Sequence, residues 1–316
     1  MAAVAPGWSL ATKLIYPGLK AILMRLATLS TVHGPRIAAH RDLDYVDLCA
    51  TDPALATTMR ALIEAGPDAL RRAMAAVEKP DAVKIPVRGA RHLPPIPNPA
   101  KIICIGLNYK DHALEQGAAI PKEPVVFSKF ATTLIGHEQP IELPAASPEV
   151  DFEAELVAVI GKRGKNLKES EAAAYVAGYM IGHDVSARDW QKKKDGKQWL
   201  LGKSFDTFAP TGPWLVTADE VGDSQKLGIR LRLNGQTMQD SNTRELIFSV
   251  PHLLAYISQV FTLEPGDLLF TGTPAGVGFA RTPPVFLKDG DVVEVEIEKL
   301  GLLRNPVVRS AGAAPA

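Results

Sequence analysis

The sequence predicts an α+β, β-rich fold of the roll or barrel-like kind. Many short apolar runs are separated by turn residues, and the 316-residue chain carries 25 glycines and 25 prolines. Long helical patterns are few, and residues 292–298 alternate strictly between apolar and acidic residues, as a half-exposed antiparallel strand does. Because strands do not alternate regularly with long helices, a doubly wound α/β sheet is disfavoured.

Residues 1–25 form an N-terminal extension with an unusual charge pattern. Lys13, Lys20 and Arg25 are its only charged residues, and the first acidic residue of the chain is Asp42. An acid-free, partly amphipathic lead is typical of a mitochondrial targeting segment. A simple tail or an extra docking helix would also fit, so the sequence leaves a mitochondrial and a cytoplasmic location open.

The next segments predict a small N-terminal α+β region over residues 26–85. A hairpin is expected over residues 26–40, and apolar periodicity predicts short helices over 53–65 and 68–78. Residues 86–99 contain Pro86, Pro94, Pro95, Pro97 and Pro99. Such a run predicts a stiff linker that divides this region from a catalytic domain over residues 100–308, followed by a tail over 309–316.

The composition excludes several classes of protein. Hydrophobic residues make up 46% of the chain and charged residues 22%, which is ordinary for a soluble globular protein. The 35 basic and 35 acidic residues balance, so neither nucleic acid nor an anionic membrane is expected as a partner. No apolar run is long enough for a transmembrane helix. Cys49 and Cys104 are the only cysteines, which favours a reducing compartment.

The strongest chemical signal is an acidic strand over residues 151–161. Asp151, Glu153 and Glu155 alternate with apolar residues and share one face, and a continuous apolar run follows them. Neighbouring carboxylates on a core strand repel each other and lose hydration, and no Lys or Arg interrupts the strand. A bound divalent cation would neutralise them. The alternative is an edge strand whose acidic face lies in water.

A third acidic position strengthens the metal interpretation. Asp184 follows an apolar run over residues 179–182, so it is expected at the carboxyl end of a strand. Carboxylates without a Cys or His cluster favour a hard ion. The sequence therefore predicts Mg²⁺ first, with Mn²⁺ or Ca²⁺ possible, at Glu153, Glu155 and Asp184.

A His–Glu pair follows the apolar strand over residues 101–106. His112 and Glu115 are three residues apart, so both would lie on one face of a helix. A carboxylate there can orient the imidazole and raise its basicity, as a general base requires. The alternative is a surface helix with an incidental ion pair.

The Gly202-Lys203-Ser204 sequence invites comparison with a phosphate-binding loop. That motif needs a glycine at position 197, which is Lys197, so nucleotide binding is not supported. A lysine beside apolar and aromatic residues can instead face an anionic substrate. We therefore take Lys203 as a candidate catalytic residue.

These motifs, taken in order, resemble the fumarylacetoacetate hydrolase superfamily. The resemblance spans residues 100–308 and rests on five ordered segments: 106–112, 153–156, 183–191, 202–206 and 271–278. It implies a mixed β-roll catalytic domain, usually assembled as a homodimer, with Mg²⁺ held by Glu153, Glu155 and Asp184. It also implies that Asp151 is not itself a metal ligand.

The resemblance further implies roles for side chains around the metal. His112 and Glu115 would form a general acid/base dyad, and Lys203 would face the substrate. The remaining implied substrate-binding residues are Asn108, Tyr109, Arg188, Gln191, Thr271, Gly272 and Thr273.

Members of this family act on 2-oxo or 1,3-dicarbonyl acids through an enolate, and this resemblance implies a small 2-oxo acid such as oxaloacetate as substrate. Within this resemblance, the chain length and the sequence of residues 199–206 favour keto–enol tautomerisation of oxaloacetate as the reaction. Acylpyruvate C–C hydrolysis and oxaloacetate decarboxylation are the alternatives. A non-catalytic binding protein of the same fold is the competing class.

Overall fold

The computed structural model describes residues 21–310, which form a strand-rich α+β fold and confirm the predicted fold class. The strands are β1 (Arg25–Thr31), β2 (Gly34–Arg41), β3 (Asp44–Asp47), β4 (Lys84–Pro86), β5 (Arg91–Leu93), β6 (Ile102–Gly106), β7 (Val125–Ser128), β8 (Leu134–Ile135), β9 (Ile141–Leu143), β10 (Val150–Asp151), β11 (Ala154–Ile160), β12 (Val176–His183), β13 (Ser186–Ala187), β14 (Ala209–Thr217), β15 (Gly228–Leu233), β16 (Gln236–Asn242), β17 (Leu268–Phe270), β18 (Val292–Ile297) and β19 (Gly301–Arg309).

The helices are short, as the sequence predicts. They are α1 (Leu48–Thr51), α2 (Met59–Glu64), α3 (Gly66–Val77), α4 (Lys110–Glu115), α5 (Glu169–Ala172), α6 (Trp199–Lys203), α7 (Ala218–Val221) and α8 (Val250–Ile257), with a π-helical turn at Asp189–Lys193 and 3₁₀ turns at Ala131–Thr133, Ala173–Tyr175, Thr243–Glu245 and Gly278–Ala280. Among residues 21–310, no helix is long and apolar enough to cross a membrane.

Three sheets organise these strands. The largest has twelve strands, with the order β4-β3-β2-β1-β14-β12-β11-β17-β6-β7 and with β5 and β8 joined to β1 and β14. A five-stranded sheet has the order β16-β15-β18-β19-β9, and β10 pairs with β13. Most pairs are antiparallel, but β17 and β6 are parallel, so the main sheet is mixed.

Strand β11 lies at the centre of the core and is buried on both faces. Leu156 and Ala158 pack into the apolar cluster shared with the five-stranded sheet. Val157 and Val159, on the opposite face, pack into the cluster shared with helices α1 to α3. This confirms that the apolar run after the acidic residues is a buried strand, because side chains on a strand alternate between its faces.

The N-terminal region extends the main sheet. Strands β1 and β2 form the predicted hairpin over residues 26–40. Helix α2 lies within the predicted segment 53–65, and α3 overlaps the segment 68–78 but begins two residues earlier, at Gly66. Strand β1 also pairs with β14, and β5, inside the proline-rich segment 86–99, pairs with β1. Strand pairing therefore joins the two predicted parts in one sheet, and the division into domains stays a prediction.

Two predictions fall partly outside the described residues. The predicted targeting segment, residues 1–25, lies outside them as far as residue 20, and the predicted tail, 309–316, lies outside them from residue 311.

The sheet brings four strand ends to one edge. Strand β12 runs antiparallel to β11 and pairs His183 with Ala154, so the end of β12 meets the start of β11. Strand β17 is antiparallel to β11, and β6 is parallel to β17, so both also end on this side. The acidic residues and the helix after β6 are positioned here.

Candidate active site and metal centre

Three buried carboxylates meet at the edge where these strands end. Glu153 immediately precedes β11, Glu155 is its second residue, and Asp184 immediately follows β12. The backbone N–H of Asp184 donates to the carbonyl of Glu153 over 2.9 Å, which holds the two segments together. One carboxylate oxygen from each of the three lies within 4.8 Å of the others. The structure thus brings together the predicted metal-binding residues.

Three buried cations accompany these carboxylates. The ammonium of Lys203 donates to Oε2 of Glu153 over 2.7 Å and to Oδ2 of Asp184 over 2.8 Å. Arg188 donates to Oε1 of Glu153 over 2.6 Å, and Lys129 donates to Oδ1 of Asp184. No basic residue interrupts the acidic strand itself, but Lys129, Arg188 and Lys203 reach its carboxylates from other segments. The assumption that only a metal ion could neutralise these carboxylates was therefore wrong.

Of the three carboxylates, Glu155 is the one that forms no ion pair with Lys129, Arg188 or Lys203. Its Oε2 accepts a hydrogen bond from the backbone N–H of Gly272, over 2.8 Å. Burial raises the pKa of Glu155 well above its ordinary value, and the neighbouring Asp184 and Glu153 raise it further. By contrast, although burial opposes it, Lys203 and Arg188 hold the pKa of Glu153 well below its ordinary value.

This donor set fits a divalent cation. The atoms are carboxylate oxygens, which hard ions prefer, and they are buried close together. Asp151, Glu153, Glu155 and Asp184 carry four negative charges against the three positive charges of Lys129, Arg188 and Lys203 when all are ionised. A cation bound at Glu155, Glu153 and Asp184 would relieve the remaining repulsion.

Asp151 serves a different purpose from the triad. Its Oδ2 accepts from Nε of Arg188 over 2.7 Å, and its oxygens also accept from the backbone N–H groups of Gly278 and Phe279. Phe152 and Glu153 interrupt the strand, because β10 ends at Asp151 and β11 begins at Ala154. The strict same-face argument therefore fails for Asp151, which orients Arg188, itself bonded to Glu153.

The predicted His–Glu pair forms in helix α4. Nδ1 of His112 lies 3.0 Å from Oε2 of Glu115, whose Oε1 accepts from the backbone N–H of Gly276. The side-chain amide of Gln116 lies 2.5 Å from Nε2 of His112. In the tautomer that satisfies both contacts, Nδ1–H donates to Glu115 and Nε2 is an acceptor. His112 is buried, in contrast to the exposed helix of the alternative interpretation.

Glu153, Glu155 and His112 line one small cavity of about 140 Å³, while Asp184 and Glu115 lie behind this lining, bonded to Lys203 and His112. Its lining combines predicted and unpredicted residues, namely Ile105, Gly106, Leu107, His112, Gln116, Phe127, Glu153, Glu155, Arg188, Gln191, Lys192, Trp199, Lys203, Thr273 and Phe279. Acidic, basic and amide groups converge on a space that suits a small polar molecule.

Four predicted substrate-binding residues lie behind this lining. The side chain of Asn108 bonds to both backbone groups of Phe248 and to the carbonyl of Thr271. The hydroxyl of Thr271 donates to the carbonyl of Leu156, and Gly272 donates to Glu155. Tyr109 is fully buried, and its hydroxyl has no hydrogen-bond partner among residues 21–310. These residues hold the loops that carry the lining.

Sequence reasoning missed several residues of the site. Lys129 lies within the mostly apolar segment 124–130, and a lysine in such a segment was the available signal. Gln116 follows the His–Glu pair directly, and Lys192 follows Gln191. Gln239 lies far away in sequence, yet its amide donates to the hydroxyl of Thr273 over 2.8 Å. No local pattern marks that last contact.

A larger groove of about 460 Å³ lies along the edge strand β7. Apolar residues such as Val126, Phe130 and Phe261 dominate it, and no carboxylate lines it. The smaller cavity is therefore the better candidate for the chemistry, because the titratable groups converge there.

Comparison with protein families identifies one matching domain. Residues 101–308 match the family model described as the fumarylacetoacetate (FAA) hydrolase C-terminal domain. The matched range contains the triad, the dyad and Lys203.

Individual relatives are similar over nearly the whole chain. A Xenopus laevis protein named as a mitochondrial oxaloacetate tautomerase is 51% identical over 292 residues, 91% of each chain. A human protein named as a mitochondrial oxaloacetate tautomerase is 49% identical over 266 residues, 83% of each chain. A Dictyostelium discoideum homologue of fumarylacetoacetate hydrolase domain-containing protein 2 is 49% identical, over 86% of this chain and 92% of its own.

Solved structures show the same fold. A fumarylacetoacetate hydrolase from Exiguobacterium antarcticum superposes with a TM-score of 0.79 at 33% identity, covering 91% of this chain and all of its own. A 2-hydroxyhepta-2,4-diene-1,7-dioate isomerase from Mycobacterium marinum gives a TM-score of 0.71 at 36% identity, over 91% of this chain and 99% of its own. With its matched domain, its relatives and its fold in agreement, this chain belongs to the fumarylacetoacetate hydrolase family.

Proposed function

We propose that this protein is a metal-dependent oxaloacetate tautomerase, which interconverts the enol and keto forms of oxaloacetate. One observation carries the proposal: Glu153, Glu155, His112 and Lys203 line one cavity of about 140 Å³, and Asp184 and Glu115 contact this lining directly through Lys203 and His112. Relatives about half identical in sequence are named as oxaloacetate tautomerases, which supports this reaction over hydrolysis or decarboxylation.

Glu153, Glu155 and Asp184 would hold the metal, which we propose to be Mg²⁺. When bound, it would supply Lewis acidity toward the carboxylate and the 2-oxo oxygen of the substrate. Lys203 donates two of its three ammonium protons to Glu153 and Asp184, so its third can reach an oxygen of the substrate. Although burial alone would lower it, Asp184 and Glu153 hold the pKa of Lys203 above its ordinary value, so the amine stays charged.

His112 moves the proton at carbon 3 of the substrate. In the ketonising direction, the hydroxyl proton leaves oxygen 2 and one proton is added to carbon 3, so no water is consumed and no C–C bond breaks. Glu115 accepts from Nδ1–H and leaves Nε2 as the atom that takes or gives the proton. The side-chain amide of Gln116, 2.5 Å from Nε2, supports this assignment, because it can donate to Nε2 in that tautomer.

The proposal is tested by following the absorbance of enol-oxaloacetate with and without Mg²⁺, while pyruvate is measured in parallel. We expect metal-dependent acceleration of enol loss without pyruvate. Pyruvate formed in step with enol loss would reassign the protein as a decarboxylase. No acceleration of either process would exclude oxaloacetate, and a panel of acylpyruvates would then test C–C hydrolysis.

Assembly and location complete the proposal. We propose a homodimer, which the family resemblance supports, and edge strand β7 and its flank leave Val126 (40% exposed) and Phe130 (52% exposed) for a second copy to cover. Light scattering would measure the assembly. The names of the relatives support a mitochondrial location, which imaging of the tagged chain would test.

A further inference from the structure

The cavity contains three cationic side chains, and two of them are already committed to carboxylates. Arg188 donates to Asp151, to Glu153 and to the side-chain oxygen of Gln191. Lys203 donates to Glu153 and Asp184. The third cation, Lys192, forms no hydrogen bond or ion pair with a carboxylate among residues 21–310, although Glu153 and Asp151 attract its charge from a longer distance.

Lys192 instead lies against an aromatic ring, that of Phe279, which also lines the cavity. Its ammonium is 3.5 Å from the centre of the Phe279 ring, and the guanidinium carbon of Arg188 is 4.4 Å from the same centre. Two positive charges thus lie against one ring, and repulsion from Arg188 disfavours the charged form of Lys192. Burial lowers the pKa of Lys192 to about 8, and Arg188 adds to this effect.

A carboxylate arriving beside Lys192 would relieve this unfavourable arrangement. The substrate class proposed above has two carboxylates, one of which belongs with the 2-oxo group at the triad. The second needs a cation that lines the same cavity and is not already hydrogen-bonded to another carboxylate. Lys192 meets both conditions.

We propose that Lys192 binds the distal carboxylate of the substrate and thereby selects dicarboxylates over monocarboxylates. This inference rests on the proposed function for the placement of the first carboxylate. Lys192 is a specificity-determining residue in this arrangement, because the proton transfer itself is carried out by His112.

The chain offers a matched control for the substitution. Lys194 is two residues away, and its ammonium lies 4.9 Å from the centre of the Trp190 ring. Like Lys192 it is exposed, but it does not line the cavity. Lys192→Met and Lys194→Met therefore remove the same charge and the same kind of cation–π contact, from inside and outside the site. Lys192→Arg keeps the charge.

The test measures binding by calorimetry in the presence of Mg²⁺, with malate as an inert dicarboxylate and lactate as the monocarboxylate that lacks the distal group. We expect wild-type protein to bind malate more tightly than lactate, and Lys192→Met to weaken malate binding about tenfold. Lactate binding should stay within about twofold, and Lys194→Met and Lys192→Arg should each keep malate affinity within about threefold.

Two results would overturn the inference: equal affinity of the wild-type protein for malate and lactate, or unchanged malate affinity in Lys192→Met. A parallel loss for both ligands would also do so, since it would indicate general damage to the site. Selective malate binding without accelerated enol loss would remove the proposed reaction but leave the role of Lys192 intact. With oxaloacetate as substrate, Lys192→Met should raise KM rather than lower kcat.

Discussion

Arg188 and Asp151 form a buried ion pair, with Nε of Arg188 2.7 Å from Oδ2 of Asp151. The two residues are 37 positions apart, and both side chains are almost fully buried, at 4% and 0% exposure. The same guanidinium also reaches Glu153. Asp151 therefore positions Arg188 against one member of the triad, and the pair links the acidic strand to the segment after Asp184.

Because of the Asp151–Arg188 pair, we expect Asp151→Asn to destabilise the protein. Removing one partner of a buried ion pair is strongly destabilising, but Arg188 keeps its contact with Glu153, so we expect a loss of about 3 kcal/mol in the free energy of unfolding, at the lower end of the usual range. Asn also accepts with one oxygen where Asp151 uses two. Urea denaturation would measure the loss.

The surface pair Arg230–Asp240, at 2.9 Å, supplies the control. Asp240→Asn should change the free energy of unfolding by less than about 1 kcal/mol. Equal effects of the two substitutions would mean that the buried pair contributes no more than a solvated one.

Glu155→Gln should affect stability and metal binding in opposite directions. With metal removed by a chelator, loss of the carboxylate relieves repulsion from Asp184 and Glu153, so the free energy of unfolding should rise by about 1 kcal/mol or more. Loss of one of three ligands should weaken Mg²⁺ binding by more than about 100-fold. Thermal unfolding with chelator and calorimetry with Mg²⁺ would measure the two effects.

Glu138→Gln, at an exposed ion pair with Arg304, is the comparison and should change neither quantity appreciably. If Glu155→Gln lowered the stability of the chelator-treated protein, the Glu155 carboxylate would stabilise the fold more than it is destabilised by repulsion. The hydrogen bond from Gly272 alone would not account for that result. An unchanged Mg²⁺ affinity would remove Glu155 from the ligand set.

His112→Ala should reduce turnover of enol-oxaloacetate by about 10²- to 10⁴-fold, the range typical of general acid–base catalysis. Glu115→Gln should give a smaller loss, because it weakens the orientation of the ring while leaving the imidazole in place. Mg²⁺ affinity should stay unchanged in both variants. Steady-state kinetics and calorimetry would measure these effects.

A second His–Glu pair in the chain is the control for His112. Nδ1 of His252 lies 3.0 Å from Oε2 of Glu169, the same separation as in the dyad, but on the exposed surface. His252→Ala should leave turnover unchanged. Retained turnover in His112→Ala would remove His112 from the mechanism.

Two histidines far from the cavity should make stability depend on pH. Burial lowers the pKa of His92 to about 4, assisted by His137, and burial with the nearby Arg304 lowers the pKa of His137 to about 4. Their rings lie 5.3 Å apart, and the Tyr45 hydroxyl contacts Nε2 of His92 over 2.7 Å.

Because both pKa values are depressed, the unfolded chain binds more protons than the folded chain between pH 6.5 and about 4. The contribution to stability is therefore present above pH 6.5 and is lost as the pH falls through this window. Each histidine should account for about 2 kcal/mol of the loss between pH 7 and pH 5.

Urea denaturation at both pH values, with His92→Gln, would test this pH dependence. The variant should lose less stability than the wild-type protein between pH 7 and pH 5, whereas substitution of the exposed His33 should leave the difference unchanged. Identical pH dependence in wild-type protein and His92→Gln would exclude His92 as the source.

The sequence by itself determined features that depend on local periodicity. The alternation in residues 292–298 identified a half-exposed strand, found as β18, and the apolar run after Glu155 identified the doubly buried β11. The spacing of His112 and Glu115 placed both on one turn of a helix, which is where they meet. A strand repeats every two residues and a helix every 3.6, so such neighbours can be read from the order of residues.

Only the tertiary structure decided which charges neutralise the acidic strand. Lys129 binds Asp184 across 55 residues of sequence. Arg188 and Lys203 bind Glu153 across 35 and 50 residues. It also decided that Asp151 binds Arg188 rather than joining the triad, and that Lys192 lines the cavity. Such contacts depend on sheet order and on loop paths between distant strands, which no local repeat in the sequence encodes.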